Sequence, residues 1–171
     1  FHEKLADIQS VEIDFNEDPE ASFRIDNIGR HQYKLTRLCD NKDLPYDTLK
    51  VINFLSSFSD LRFEALFTNT MEQERIDSIT SSPFVHNVVL TSKDGSTQDM
   101  KTYRKLVLNG VTDMSGDYGD VDHDRMYALI DSGKDFVLIQ NYVFDKVLHD
   151  VRYFEAGNPI RGDMGYLEEI K

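Results

Sequence analysis

Asp120, Asp122 and Asp124 alternate along the chain with Asp117 and His123 beside them, and this stretch is the one best suited to chemistry. In a loop, side chains at every second position can turn inward together. Carboxylate oxygens are the ligands that a hard cation such as calcium selects. The spacing opens like an EF-hand loop, and Asp131 falls at its closing position. The likeness then breaks. Arg125 stands where such a loop needs glycine for its sharp turn, and residues 126–130 alternate as a strand does. Aspartate is also a poorer bidentate closing ligand than glutamate. Two readings follow: a calcium- or small-ligand-binding module using residues 117–124, or a solvated acidic loop in an acidic protein. Asp120, Asp122 and Asp124 are the candidate metal ligands, with calcium as the candidate ion, and His123 with the neighbouring aspartates also offers donors for a transition metal.

Other chemistry finds less support. The five histidines, His2, His31, His86, His123 and His149, include no pair at the i, i+4 spacing of a helical zinc site. His86 falls within a strand, and His149 reads as the wet side of a helix. Asp94-Gly95-Ser96 is a hairpin turn and not a nucleophile elbow. Neither a dinucleotide-binding glycine pattern nor a phosphate-binding lysine loop is present. Arg161-Gly162-Asp163 is a tripeptide that recurs by chance. Glu12 and Asp14, and Glu17, Asp18 and Glu20, sit at strand and turn positions where carboxylates are solvated. Cys39 is the single cysteine, which excludes an intramolecular disulfide and reads as a small buried hydrophobe. No catalytic residue is assigned, and the chain reads as non-enzymatic.

The elements around these residues are easier to read. Residues 126–130 are largely apolar on both faces, 131–135 turn with Gly133 available for a positive φ, and 136–139 form a continuous apolar run. Val143, Phe144, Val147, Leu148 and Val151 then recur at helical spacing, with Asn141 as N-cap. Upstream, residues 11–15, 23–25 and 33–38 predict an antiparallel meander, and the period then changes to a helix over 47–61. Residues 62–67 alternate as a strand. Residues 71–82 read as a linker with room for a short helix near Ile76. Residues 85–91 and 98–107 flank a hairpin turn at 93–96, and 109–124 form a long loop. The two halves, 1–70 and 83–171, look alike: residues 60–65 (DLRFEA) match 150–156 (DVRYFEA). The expectation is an α+β fold, antiparallel sheet with amphipathic helices packed on one face, as a duplicated ββ(β)α unit forming one compact domain or two lobes.

Composition narrows the partners. The chain has 171 residues and a net charge of −12, from 31 acidic against 19 basic residues. Such a surface repels phosphate backbones, so nucleic acid is not an expected partner. No apolar run reaches transmembrane length. The chain starts at Phe1, and a removed N-terminal signal or anchor would place it outside the cytoplasm.

The meander, the 47–61 helix and the run YAL…GKDFVLIQNYVFD within 124–154 together resemble a bacterial family of uncharacterised extracytoplasmic domains. Some members of that family accompany ABC-type transport components and are tethered by an N-terminal membrane segment. The resemblance implies a periplasmic or membrane-anchored, non-catalytic binding or scaffold domain with a protein partner. It brings no catalytic residues.

Overall fold

The computed structural model describes residue 1, residues 3–107 and residues 121–157. Apolar and polar residues alternate through β1 (Ile8–Phe15), and its buried side chains Val11 and Ile13 face the core. From β1 a meander runs outward through β2 (Phe23–Gly29), β3 (Gln32–Arg37) and the short β4 (Lys42–Leu44). A second meander runs the opposite way through β6 (His86–Ser92), β7 (Thr97–Leu106), β8 (Val121–Ile130) and β9 (Asp135–Gln140). β1 pairs antiparallel with β6, from Phe15 opposite His86 to Ile8 opposite Ser92. β5 (Ala65–Leu66) adds to the far side of β9, so the order is β4-β3-β2-β1-β6-β7-β8-β9-β5 in one nine-stranded sheet. The fold is α+β, and both halves lie in this sheet.

One sheet face is covered by α1 (Thr48–Ser56). Asp47 caps it, accepting from the amides of Leu49 at 2.8 Å and Lys50 at 3.2 Å. Val51, Phe54 and Leu55 are buried on its inner side, and Phe58 follows in a 3-10 turn, Ser57–Ser59. Phe54 lies at the centre of an edge-to-face aromatic cluster, with ring centroids 5.8 Å from Phe23, 5.3 Å from Phe58 and 5.1 Å from Phe154. Phe154 belongs to the second half. The main chain binds it there: the Asp47 amide donates to the Phe154 carbonyl at 2.8 Å, and Lys50 Nζ donates to the Glu155 carbonyl at 2.9 Å.

The other face carries a separate cluster. α2 (Gln73–Thr80) crosses it within residues 71–82 and buries Ile76 against Tyr103, Tyr127, Phe136 and Leu138. On β8, Met126, Ala128 and Ile130 face the α1 side while Tyr127 and Leu129 face α2. On β9, Val137 and Ile139 face one way, and Phe136 and Leu138 the other. The unbroken apolar run of β9 is explained by this double burial.

Several local expectations need correction. The helix expected over 143–151 stops early: α3 is Asn141–Phe144, followed by turns and a 3-10 segment, Val151–Phe154. The regularly spaced Val147, Val151 and Phe154 are still buried in the α1-side core. β-branched valines at 143, 147 and 151 give a helix little intrinsic support, and the turns bring the same side chains inward over a shorter path. Gln140, not Asn141, precedes α3 as its N-cap, and the Asn141 amide instead donates to the His123 carbonyl at 2.6 Å. The strand expected over 62–67 narrows to β5, flanked by bonds from Glu64 N to Leu138 O and Phe67 N to Phe136 O, both 2.7 Å. Residues 121–124, expected in a loop, open β8. Cys39 is exposed, because β3 ends at Arg37 and the chain turns there into β4.

The turns behave as expected. Gly95 (φ 89°) and Gly133 (φ 86°) take the left-handed conformation that the two hairpins require. The matched segments also play equivalent parts: Leu61 and Val151 are both buried, and each follows an aspartate that faces an arginine two positions on. Among the described residues no helix is long and apolar enough to cross a membrane.

The aromatic cluster should dominate the stability of the α1 face. Phe54→Ala is expected to lower the unfolding free energy by about 3–5 kcal/mol, read from urea denaturation. A loss below about 1 kcal/mol would mean that the ring is not integral to the core.

Candidate functional site

Of the acidic stretch, residues 117–120, including Asp120, lie outside the described residues. Asp122 and Asp124 stand at the start of β8. One Asp122 carboxylate oxygen lies 2.7 Å from Lys105 Nζ, and the other accepts from the amides of Asp124 at 2.9 Å and Arg125 at 3.1 Å. Burial alone would raise the Asp122 pKa. The Lys105 hydrogen bond and the two amides outweigh it and hold the carboxyl below its ordinary value. The group is thus committed to anchoring the strand entry. Among the described residues no group of three or more His, Cys, Asp and Glu side chains converges to hold a metal ion.

His86 and His149 take structural positions. The His86 ring packs edge-on to Phe15, with centroids 5.0 Å apart, and Nδ1 lies 2.9 Å from the hydroxyl of the buried Thr102. Burial lowers its pKa to about 4. His149 is not on a wet helix face. It stacks flat on Tyr153 with centroids 3.8 Å apart, and burial lowers its pKa.

Among the described residues, two largely apolar concave sites lie on opposite faces of the sheet. The first, of about 230 Å³, is on the α1 side, where the short α3 leaves part of the sheet uncovered. Its floor is Met100, Val137 and Ile139, its walls include Leu61, Phe63 and Phe144, and Gln98, Asp99 and Asp131 stand at its rim. Phe63 is 45% exposed, and Leu66 on edge strand β5 is 44% exposed, so apolar surface continues from the pocket to the sheet edge. The Asp99 carboxylate accepts from the amide of Ser132 at 2.8 Å and from its hydroxyl at 3.1 Å, which pins the β8–β9 turn at this rim.

The second site, of about 490 Å³, opens on the other face between α2, the lead into β6, and β7–β8. Tyr103 and Tyr127 stand directly opposite each other in the β7–β8 ladder and line it, with Arg75 and Ile79 from α2, Phe84, and Arg104 near its end. Arg104 is paired with Glu17 at 2.6 Å. Lys101 lies over the Phe84 ring, 5.9 Å from its centroid.

None of the residues lining the second site was singled out from sequence except Glu17, and that for another role. The signal was present: β8 is apolar on both faces, which demands a second cover, and Ile76 and Ile79 sit one helical turn apart in a polar segment. Only the strand register, which sets Tyr103 beside Tyr127, brings the pieces together. The chain matches no protein-family model, no curated protein and no solved structure.

Two outcomes follow from these environments. His86 is stabilising when neutral, so that contribution is complete above its unfolded pKa near 6.5 and is lost as the pH falls towards about 4. The loss should total about 3 kcal/mol. Urea denaturation from pH 7.5 to 4 should therefore fall more steeply for the wild type than for His86→Gln, and equal slopes would refute the assignment. Asp122→Ala, which frees two amides and Lys105, is expected to cost about 1–3 kcal/mol without calcium. A melting temperature raised by calcium in the wild type but not in Asp122→Ala would instead make this carboxylate a ligand.

Proposed function

We propose that this chain is a non-catalytic binding and scaffold domain, working outside the cytoplasm in a membrane-associated assembly and engaging a protein partner. The observation that carries the reading is the apolar pocket at Leu61, Phe63 and Met100, continuous with exposed Leu66 on the sheet edge. An apolar depression with a polar rim suits the buried anchor of a protein contact. A broad sheet closed by cores on both faces supplies a rigid platform for it. The extracytoplasmic placement is supported by the likeness of the patterned hydrophobics to tethered bacterial domains, and a tether preceding Phe1 belongs to the same proposal. The like roles of 60–62 and 150–152, and the matching outward order of the two meanders, support descent of the halves from one duplicated unit.

Photocrosslinking in producing cells tests the contact. A benzophenone side chain at Phe63 is expected to give a discrete adduct with one protein, while one at Ile28, exposed near the β2–β3 turn, gives none. Adducts at neither position, or equally at both, would remove the pocket as the contact. Turnover by the purified protein that is abolished by a pocket substitution would remove the non-catalytic reading.

A further inference from the structure

We propose that the cleft beneath α2 binds a small carboxylic acid with an apolar, aryl- or acyl-type body. The cleft is independent of the partner pocket and lies on the opposite face of the sheet. Its volume of about 490 Å³ falls within the range of small-molecule sites. Apolar wall is supplied by Ile79, Phe84 and Leu106, and Leu106 is 59% exposed with nothing among the described residues covering it.

The polar groups decide the ligand. Tyr103 and Tyr127 are only 5% and 7% exposed as residues, but their hydroxyls open on the cleft and make no hydrogen bond among the described residues. Two neighbouring hydroxyls that open on one cleft can donate together to a bound acceptor. The Arg75 guanidinium also makes no ion pair or hydrogen bond among the described residues. An open guanidinium beside two phenols matches a planar carboxylate, which takes the arginine fork bidentately. In a chain of net charge −12, two arginines lining one cleft run against the general field and mark a place for an anion. Glu17 occupies Arg104, so Arg75 is the open guanidinium of the two arginines that line the cleft, and its fork matches a single carboxylate. Glu17 therefore competes with the ligand for Arg104.

Calorimetry with 4-phenylbutyrate tests this. The wild type should bind it saturably, and neutral 4-phenylbutanol and doubly charged phenyl phosphate each at least about tenfold more weakly. Arg75→Ala, at an exposed position, should keep the wild-type melting temperature and weaken binding about tenfold. Paired Tyr103→Phe and Tyr127→Phe substitutions, which retain both rings, should weaken it severalfold. Glu17→Gln should tighten it severalfold by releasing Arg104, an effect that a merely structural role for Glu17 would not produce. Lack of saturable binding by the wild type, equal affinity for the alcohol or the phosphate, or unchanged affinity in both Arg75→Ala and Glu17→Gln would overturn the assignment. None of these outcomes bears on crosslinking from Phe63, so the two readings stand or fall separately.

Discussion

The antiparallel pairing of β1 with β6 is the constraint on which the rest of the structure depends. Each meander taken alone would expose the edge of its first strand, with a row of unpaired amides and carbonyls. Joining the two first strands satisfies both edges and makes a single wide sheet. It also moves the free edges to the periphery, where they are short: β4 has three residues, two of them charged, and β5 has two. A wide sheet must be covered, and the cover is uneven. α1 and the 151–154 turn pack over one face, while α2 crosses the other only opposite the second meander. The two largely apolar sites lie where this cover ends.

The sequence was most legible where structure is local. Alternation located the longer strands of both meanders but not the short β4, which lies in a stretch that reads as a loop over residues 40–45; the two glycine turns were evident from composition, and the change of period placed the start of α1 at Tyr46 or Asp47. It was least legible where tertiary demands override periodicity. Val147 and Val151 have helical spacing but reach the core through turns, because burial rewards where a side chain ends up and not the backbone route that takes it there. Cys39 and His149 were misplaced for the same reason: their surroundings depend on where β3 stops and on how the segment after α3 folds back.

The sites show the limit more sharply. Local spacing drew attention to the aspartates, which crowd together in sequence. Asp122 proves to be held by Lys105, a residue of the neighbouring strand β7. The polar groups that line the cleft, Arg75, Tyr103 and Tyr127, come from three elements and share no motif. Only the register of β7 with β8 and the crossing of α2 bring them to one cleft. An apolar strand face on each side of β8 was the hint that a second layer existed, but not where that layer would leave a gap.

The bond from Lys50 to the carbonyl of Glu155 spans 105 residues of chain, and Phe54 meets Phe154 beside it. During synthesis α1 emerges long before its partners do. The β1 edge stays open until β6 has emerged, and the Phe54 ring stays uncovered on one side until Phe154 follows. The N-terminal half thus cannot complete its core ahead of the C-terminal half. Where a repeat protein can fold outward from any one unit, these two halves are obliged to wait for each other.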